Sequence, residues 1–188
     1  MNERPYHHGD LRQTLLDAAA DVIEESGPAA VSLRNLARRV GVSHAAPAHH
    51  FGDLAGLMTA LATEGYARLA DAVEAVSPVH DLQEAGVAYV SFALAERARF
   101  EVMFRPELLH RDDPALQAAQ ARAMETLRAA VAEWSRAYGG DEEATRVAAW
   151  SLVHGFATLW LQGVVPAGLG TDPSAAARAV TGVLTRAE

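Results

Sequence analysis

The stretch Ser32–Phe51, SLRNLARRVGVSHAAPAHHF, constrains the fold of this chain more than any other. Leu33, Leu36, Ala37 and Val40 recur at helical spacing and give a first short helix one apolar face. Ser32 stands where an N-cap belongs, its hydroxyl able to accept from an unpaired backbone N–H. Gly41 follows the last apolar position, where a left-handed residue can end a helix and turn the chain. Ser43 then offers a second N-cap, and His44 to His50 are expected to form a second, very short helix. Pro47 falls close enough to its start to be tolerated, at the loss of the first intrahelical bond. Helix, glycine turn, helix is the helix-turn-helix arrangement, whose second helix can enter a DNA major groove.

Charge supports that reading. The 27 residues from Ser26 to Gly52 contain no Asp or Glu, although the chain carries 24 acids and a net charge of −8. The same window holds Arg34, Arg38, Arg39, His44, His49 and His50. An acid-free surface on an acidic protein suits a polyanion, because each carboxylate there would repel phosphate. The plain alternative is a small helical subdomain with a chance gap in its charges. Any DNA contact has to be local, since the net charge opposes a general affinity for nucleic acid.

Gly9 to Ala70 resembles the N-terminal domain of TetR-family transcriptional regulators. The matching pieces are DLRQTLLDAAADVIEESG, VSLRNLARRVGVS and the F-x-x-x-x-x-L run from Phe51 to Leu57. The opening YHHGDLR and the segment WSLVHG, Trp150 to Gly155, resemble one subgroup with a W-x-x-x-H-G helix. The resemblance implies a cytoplasmic homodimer, a palindromic double-stranded DNA operator near a promoter, and a small-molecule effector bound in the C-terminal part. It implies a repressor released from its operator when effector binding tilts the helix Leu54 to Val76 and separates the two recognition helices. Regulators of this type usually carry Tyr where this chain has Ala48 and Lys where it has Leu54, both on the DNA. A second reading therefore stands beside the first: a dimeric helical ligand-binding module with weakened or lost DNA binding. The DNA-facing set expected from spacing, charge and resemblance is Arg12, Ser32, Arg34, Arg38, Arg39, Ser43, His44, Ala45, Ala46, Ala48, His49 and His50. For Arg12 a solvated surface arginine is an equal alternative.

Composition narrows the remaining classes. Half the residues are apolar and the mean hydropathy is zero, so a folded core is expected rather than disorder. No run reaches the roughly 18 apolar residues of a membrane span. The N-terminus lacks the apolar stretch of a signal peptide, which leaves the cytoplasm as the expected location. Without Cys there is neither disulfide nor thiolate chemistry. No G-x-S-x-G, phosphate-binding glycine loop or G-x-G-x-x-G occurs, so no enzyme, catalytic residue or cofactor is expected. The adjacent pairs His7–His8 and His49–His50 point to different sides of a helix and do not chelate, so no metal site is expected.

Read in order, the chain is all-α. Residues 1 to 9 form an arm with Arg4, His7 and His8, able to follow a DNA backbone or simply to be loose. A first helix runs from about Leu11 to Ser26, capped by Asp10 and stopped by Gly27–Pro28. Asp53 caps a long helix from Leu54 to about Val76, roughly 30 Å or more in length, ended by Ser77–Pro78. Further helices follow from Leu82 to Arg97, from Pro114 to Tyr138, from Asp141 to about Val165 and from Pro173 to Arg186, with a short turn holding Phe100, Met103 and Phe104. The expected domains are 1–53, the arm and helix-turn-helix, and 54–188, the effector-binding and dimerisation part.

Two constellations remain. Val147 to Val165 is apolar nearly all round, and the last helix carries Val180, Val183 and Leu184, so these two helices are expected to form the homodimer interface, with Ala157 and Leu161 in it. Tyr89, Phe92, Phe100, Met103, Met124, Trp134, Trp150 and His154 are expected to line a cavity for a mostly apolar effector, His154 supplying a polar contact. Each of these aromatics also reads as ordinary core, and His154 as a histidine bonded to a neighbouring helix.

Overall fold

The computed structural model describes residues 8–76 and 81–183. The expected contributions of Arg4, His7, Ser77–Pro78 and Leu184 lie outside these residues. Within them the secondary structure is helical throughout: α1 (His8–Ser26), α2 (Leu33–Val40), α3 (Ala46–Phe51), α4 (Leu54–Val76), α5 (Leu82–Ala95), α6 (Arg97–Met103), α7 (Pro114–Tyr138), α8 (Glu142–Leu161) and α9 (Pro173–Thr181), with single 3-10 turns at Pro28–Ala30, Pro106–Leu108 and Ala167–Leu169.

Helix starts follow side-chain caps. Asp53 accepts from the Gly56 N–H at 2.7 Å, Asp113 from Leu116 at 2.9 Å and Asp141 from Ala144 at 2.7 Å, each satisfying a donor the first turn cannot pair internally. Three expectations change. The first helix starts at His8, so Asp10 lies inside it rather than at its cap. The segment around Phe100 is a two-turn helix, α6, rather than a turn. The long apolar helix ends at Leu161, because Gln162 and Gly163 close it by backbone bonds to Thr158 and Trp160.

The chain divides into two compact units. The first comprises residues up to Gly65 together with Arg97–Gln117. Its core is built from Leu15, Leu16, Ala19 and Ile23 of α1, Leu36 and Ala37 of α2, and Leu57, Met58 and Leu61 of α4. Arg99 of α6 is buried in this unit. Its guanidinium bonds Glu64 through Nε at 3.2 Å and through an outer nitrogen at 3.1 Å, and that nitrogen also meets Asp17 at 3.1 Å. The loop after α6 is tied to the start of α4: the His110 N–H donates to the Thr59 hydroxyl at 2.9 Å, and the His110 ring meets Asp53 at 2.9 Å. The Gly56 N–H, and secondarily His110, hold the Asp53 carboxyl below the usual carboxylate range.

The second unit comprises Tyr66–Glu96 and the chain from Ala118 onward. Here α5 is the central helix, packed on both α8 and α9. Gly86 lets them come close: a Cβ there would stand 2.8 Å from Thr181 Cγ2 and 3.1 Å from Val153 Cγ1. Glu84 of α5 pairs with Arg178 of α9, and the Gln83 side chain donates to the Arg178 carbonyl at 2.9 Å. Arg122 of α7 meets Asp71 at 2.7 Å and also holds Glu74.

Candidate nucleic-acid interface

The candidate interface residues come from three short pieces of the first unit. Ser32 caps α2, its Oγ accepting from the Asn35 N–H at 3.2 Å. Gly41 ends α2 at φ 77°, a conformation in which a side chain would be strained, and its N–H returns to the Ala37 carbonyl. The second cap differs from expectation. Ser43 engages through its carbonyl, accepting from the Ala46 N–H at 3.0 Å, and α3 starts at Ala46, with His44 and Ala45 in the preceding turn. Pro47 therefore occupies the second helical position, where its missing N–H would have no partner anyway, and its ring is fully buried.

That seating decides which side chains face outward. Pro47 points to the core and Phe51 is half-buried, while His44, Ala45, Ala48 and His49 are exposed; Ala46 and His50 are intermediate. The exit from α3 is held by a close approach: a Cβ at Gly56 would collide with the Phe51 carbonyl oxygen. Arg12 of α1 lies over the Phe51 ring, its guanidinium carbon 5.3 Å from the ring centre, so a cation–π contact holds it beside α3.

The arginines of α2 divide in two. Arg34 is exposed, and Arg38 is exposed and oriented by a 2.7 Å bond to the Asn35 side-chain oxygen. Arg39 makes a two-pronged bond to Glu25, at 2.7 and 3.1 Å, with Asp21 at 3.6 Å. The pairing holds the Glu25 carboxyl below its ordinary range, and it offsets Arg39's charge with acids from α1. Those acids lie just outside the acid-free window, which is why the window itself gave no sign of them.

The eight residues expected around an effector fall in both units. Phe100 and Met103 belong to the first unit, where both are buried; Phe100 contacts the Phe104 ring at 5.3 Å, and a Cβ at Gly65 would stand 2.6 Å from the Met103 sulfur. The other six lie in the second unit. Trp150 and His154, four residues apart on α8, share a face, with ring centres 6.1 Å apart. The buried Tyr89 hydroxyl meets His154 Nδ1 at 2.9 Å. Burial pushes the Tyr89 phenol well above its ordinary range, against a smaller opposing effect of the Trp150 indole, and burial lowers the His154 imidazole. The arrangement that fits is a neutral imidazole whose Nδ1 accepts from the phenol, with the ring proton on Nε2. Phe92 instead lines a groove of about 650 Å³ between α4 and α5, with Ala72, Val87 and Ala88 in its wall and the Arg68–Glu96 pair among its lining residues. Trp134 stacks near Tyr138 at 5.2 Å, and Met124 is half-buried.

The His154 environment has a measurable consequence. A histidine whose folded pKa lies below its unfolded value binds its proton more readily on unfolding. The folded state is therefore favoured above about pH 6.5 and loses stability as pH falls below it. The slope for one such proton is at most about 1.4 kcal/mol per pH unit. Urea unfolding between pH 7.5 and 5 is expected to show this decline, and His154→Asn to flatten it. An equal decline in the variant would place its origin elsewhere.

Comparison with known proteins agrees with the helical fold. Residues 15–61 match the family described as bacterial regulatory proteins, tetR family, and residues 82–184 match the tetracyclin repressor-like C-terminal domain. A solved structure of a protein with unknown function from a Rhodococcus species is 34% identical, with 97% of each chain covered and a TM-score of 0.79. The TetR family transcriptional regulator PfmR from Thermus thermophilus shares the fold at 23% identity, covering 90% of this chain and 96% of that one, with a TM-score of 0.70. Mycobacterium smegmatis AmtR does so at 22% identity, covering 100% and 91%, with a TM-score of 0.68. Among curated proteins no match was found.

Proposed function

Because the chain belongs to the TetR family of DNA-binding transcriptional regulators, we propose that it is a repressor, released from a palindromic operator when a small molecule binds its C-terminal part. The observation that carries this reading is the exposed face of α3 beside Arg12, with Arg34 and Arg38 exposed on α2 and no carboxylate from Ser26 to Gly52. On this reading residues 1–53 engage DNA and residues 54–188 serve effector binding and dimerisation in the cytoplasm. Ser32 and Ser43 act on the site through α2 and the turn, while His44, Ala45, Ala46, Ala48, His49 and His50 provide the groove-facing surface. Arg39 serves to hold α2 against α1. On this reading the W-x-x-x-H-G spacing marks a subgroup, and it is supported by the shared face of Trp150 and His154 and the bond between Tyr89 and His154 in this chain. A mostly apolar effector would meet the second unit through Tyr89, Phe92, Met124, Trp134, Trp150 and His154. Phe100 and Met103 act as core of the first.

The test is retention of a promoter-proximal fragment in a gel shift and its release by an apolar small molecule. Failure to retain any genomic fragment would instead favour the ligand-binding module without DNA reading.

Dimerisation is proposed through α8 and α9. Val147, Ser151 and Leu159 are exposed at helical spacing along α8; Gly155 lies between them, where a Cβ would meet nothing, and Val183 is exposed after α9. Ala157 is fully buried within its own chain and Leu161 half-buried, so neither reports cleanly on an interface. Leu159→Arg is the suitable probe, at 48% exposure. Light scattering at micromolar concentration is expected to give twice the 20.0 kDa chain mass for the unaltered protein and a shift toward the single-chain mass for the variant. A single-chain mass for the unaltered protein would end the idea.

A further inference from the structure

The outward face of α3 is unusual in what it lacks. From His44 to Phe51 there is no Arg, Lys, Asn, Gln, Asp or Glu. The side chains that pair two-pronged with guanine are Arg and Lys, those that do so with adenine are Asn and Gln, and those that accept from the cytosine amino group are Asp and Glu. None of these modes is open to this helix. What it exposes instead is Ala45 and Ala48, bracketed by His44 and His49. Ala45 already has helical backbone angles, φ −81° and ψ −21°, so Ala45 and Ala48 are three apart on a continuous helical path and their methyls lie side by side. No long side chain holds the backbone away from the floor of a groove. In the major groove the apolar partner for a methyl is the C5-methyl of thymine.

We infer that α3 reads its operator chiefly by packing the Ala45 and Ala48 methyls against thymine methyl groups, with single hydrogen bonds from His44 and His49 supplementing them. This rests on the DNA-binding reading above and specifies it. The preferred half-site then has one or two thymines facing α3, and its sequence preference depends on a group that uracil lacks while pairing identically with adenine.

The experiment starts from a duplex enriched from random sequence by the unaltered protein. Each thymine is replaced in turn by deoxyuridine, and affinity is measured at fixed salt. Burial of one methyl corresponds to about fourfold in affinity, and to about fifteenfold when both half-sites are substituted. The expected result is such a loss at one or two positions per half-site and nowhere else. In Ala48→Ser the penalty at one of these positions should vanish. If circular dichroism shows that variant unfolded, the deoxyuridine series on the unaltered protein decides alone. Affinity within twofold at every substituted position, on a duplex that still binds, would overturn methyl reading while leaving DNA binding intact. Failure to enrich or bind any duplex would overturn the DNA reading and this inference with it.

Discussion

Replacing Arg99 by methionine is expected to lower the stability of the first unit by about 3 kcal/mol, within the range for removing one partner of a buried ion pair. Arg99 is 6% exposed, and its guanidinium faces Glu64 of α4 and Asp17 of α1. Asp17 is well exposed and regains water when the cation is lost, but the Glu64 side chain is only 21% exposed and loses both of its hydrogen bonds from the Arg99 guanidinium. The double variant Arg99→Met, Glu64→Leu removes that charge too and should recover most of the loss, since whole buried pairs exchange for apolar groups nearly neutrally. Circular dichroism in urea is the appropriate readout, because all three tryptophans, Trp134, Trp150 and Trp160, lie in the second unit. A shift of less than about 1 kcal/mol in the single variant would show that the network adds no more than a surface pair does.

Replacing Arg34 and Arg38 together by alanine is expected to weaken operator binding about four-thousandfold at 0.1 M salt. Each phosphate neutralised contributes about 0.9 to the slope of log affinity against log salt. Two such contacts in each half of a dimer contribute about 3.6 in all, and the same number of decades of affinity at 0.1 M relative to 1 M. The unaltered protein should show a slope near −4 to −5, and the double variant a slope near −1. Both residues are exposed, and alanine favours the helix, so the fold is retained. Arg39→Ala is the control: its charge is already offset by Glu25 and Asp21, so it should leave the salt slope nearly unchanged. If the double variant keeps the steep slope, these guanidinium groups do not meet phosphate.

The sequence made some of this architecture plain and hid the rest for physical reasons. Caps were legible because their chemistry is local: Ser32 and Asn35, and Asp53 and Gly56, are each three residues apart. Gly41 was legible because few residues other than glycine end a helix in a left-handed conformation cheaply. The start of α3 was not, since a serine that engages through its main chain looks the same in sequence as one that caps with its hydroxyl. Arg99 was hidden because the segment around Phe100 reads as a short turn, and the acids that make its burial tolerable lie 35 and 82 residues away. Arg39's partner was likewise 14 residues off. The assignment of α6, with Phe100 and Met103, to the first unit was not legible either, because its packing partners are set by contacts far away in sequence.

The seating of α3 carries an evolutionary consequence. The residues that anchor it, Pro47 and Phe51, point inward, and the residues that look outward, His44, Ala45, Ala48 and His49, contribute almost no buried area. Anchoring and addressing are thus assigned to different letters of the same short word. Random substitution at the four outward positions draws little on the stability margin that ordinarily limits how far a protein can wander in sequence. A lineage carrying this scaffold can therefore acquire a new set of target genes by changing its address alone, without first accumulating compensating changes in the core.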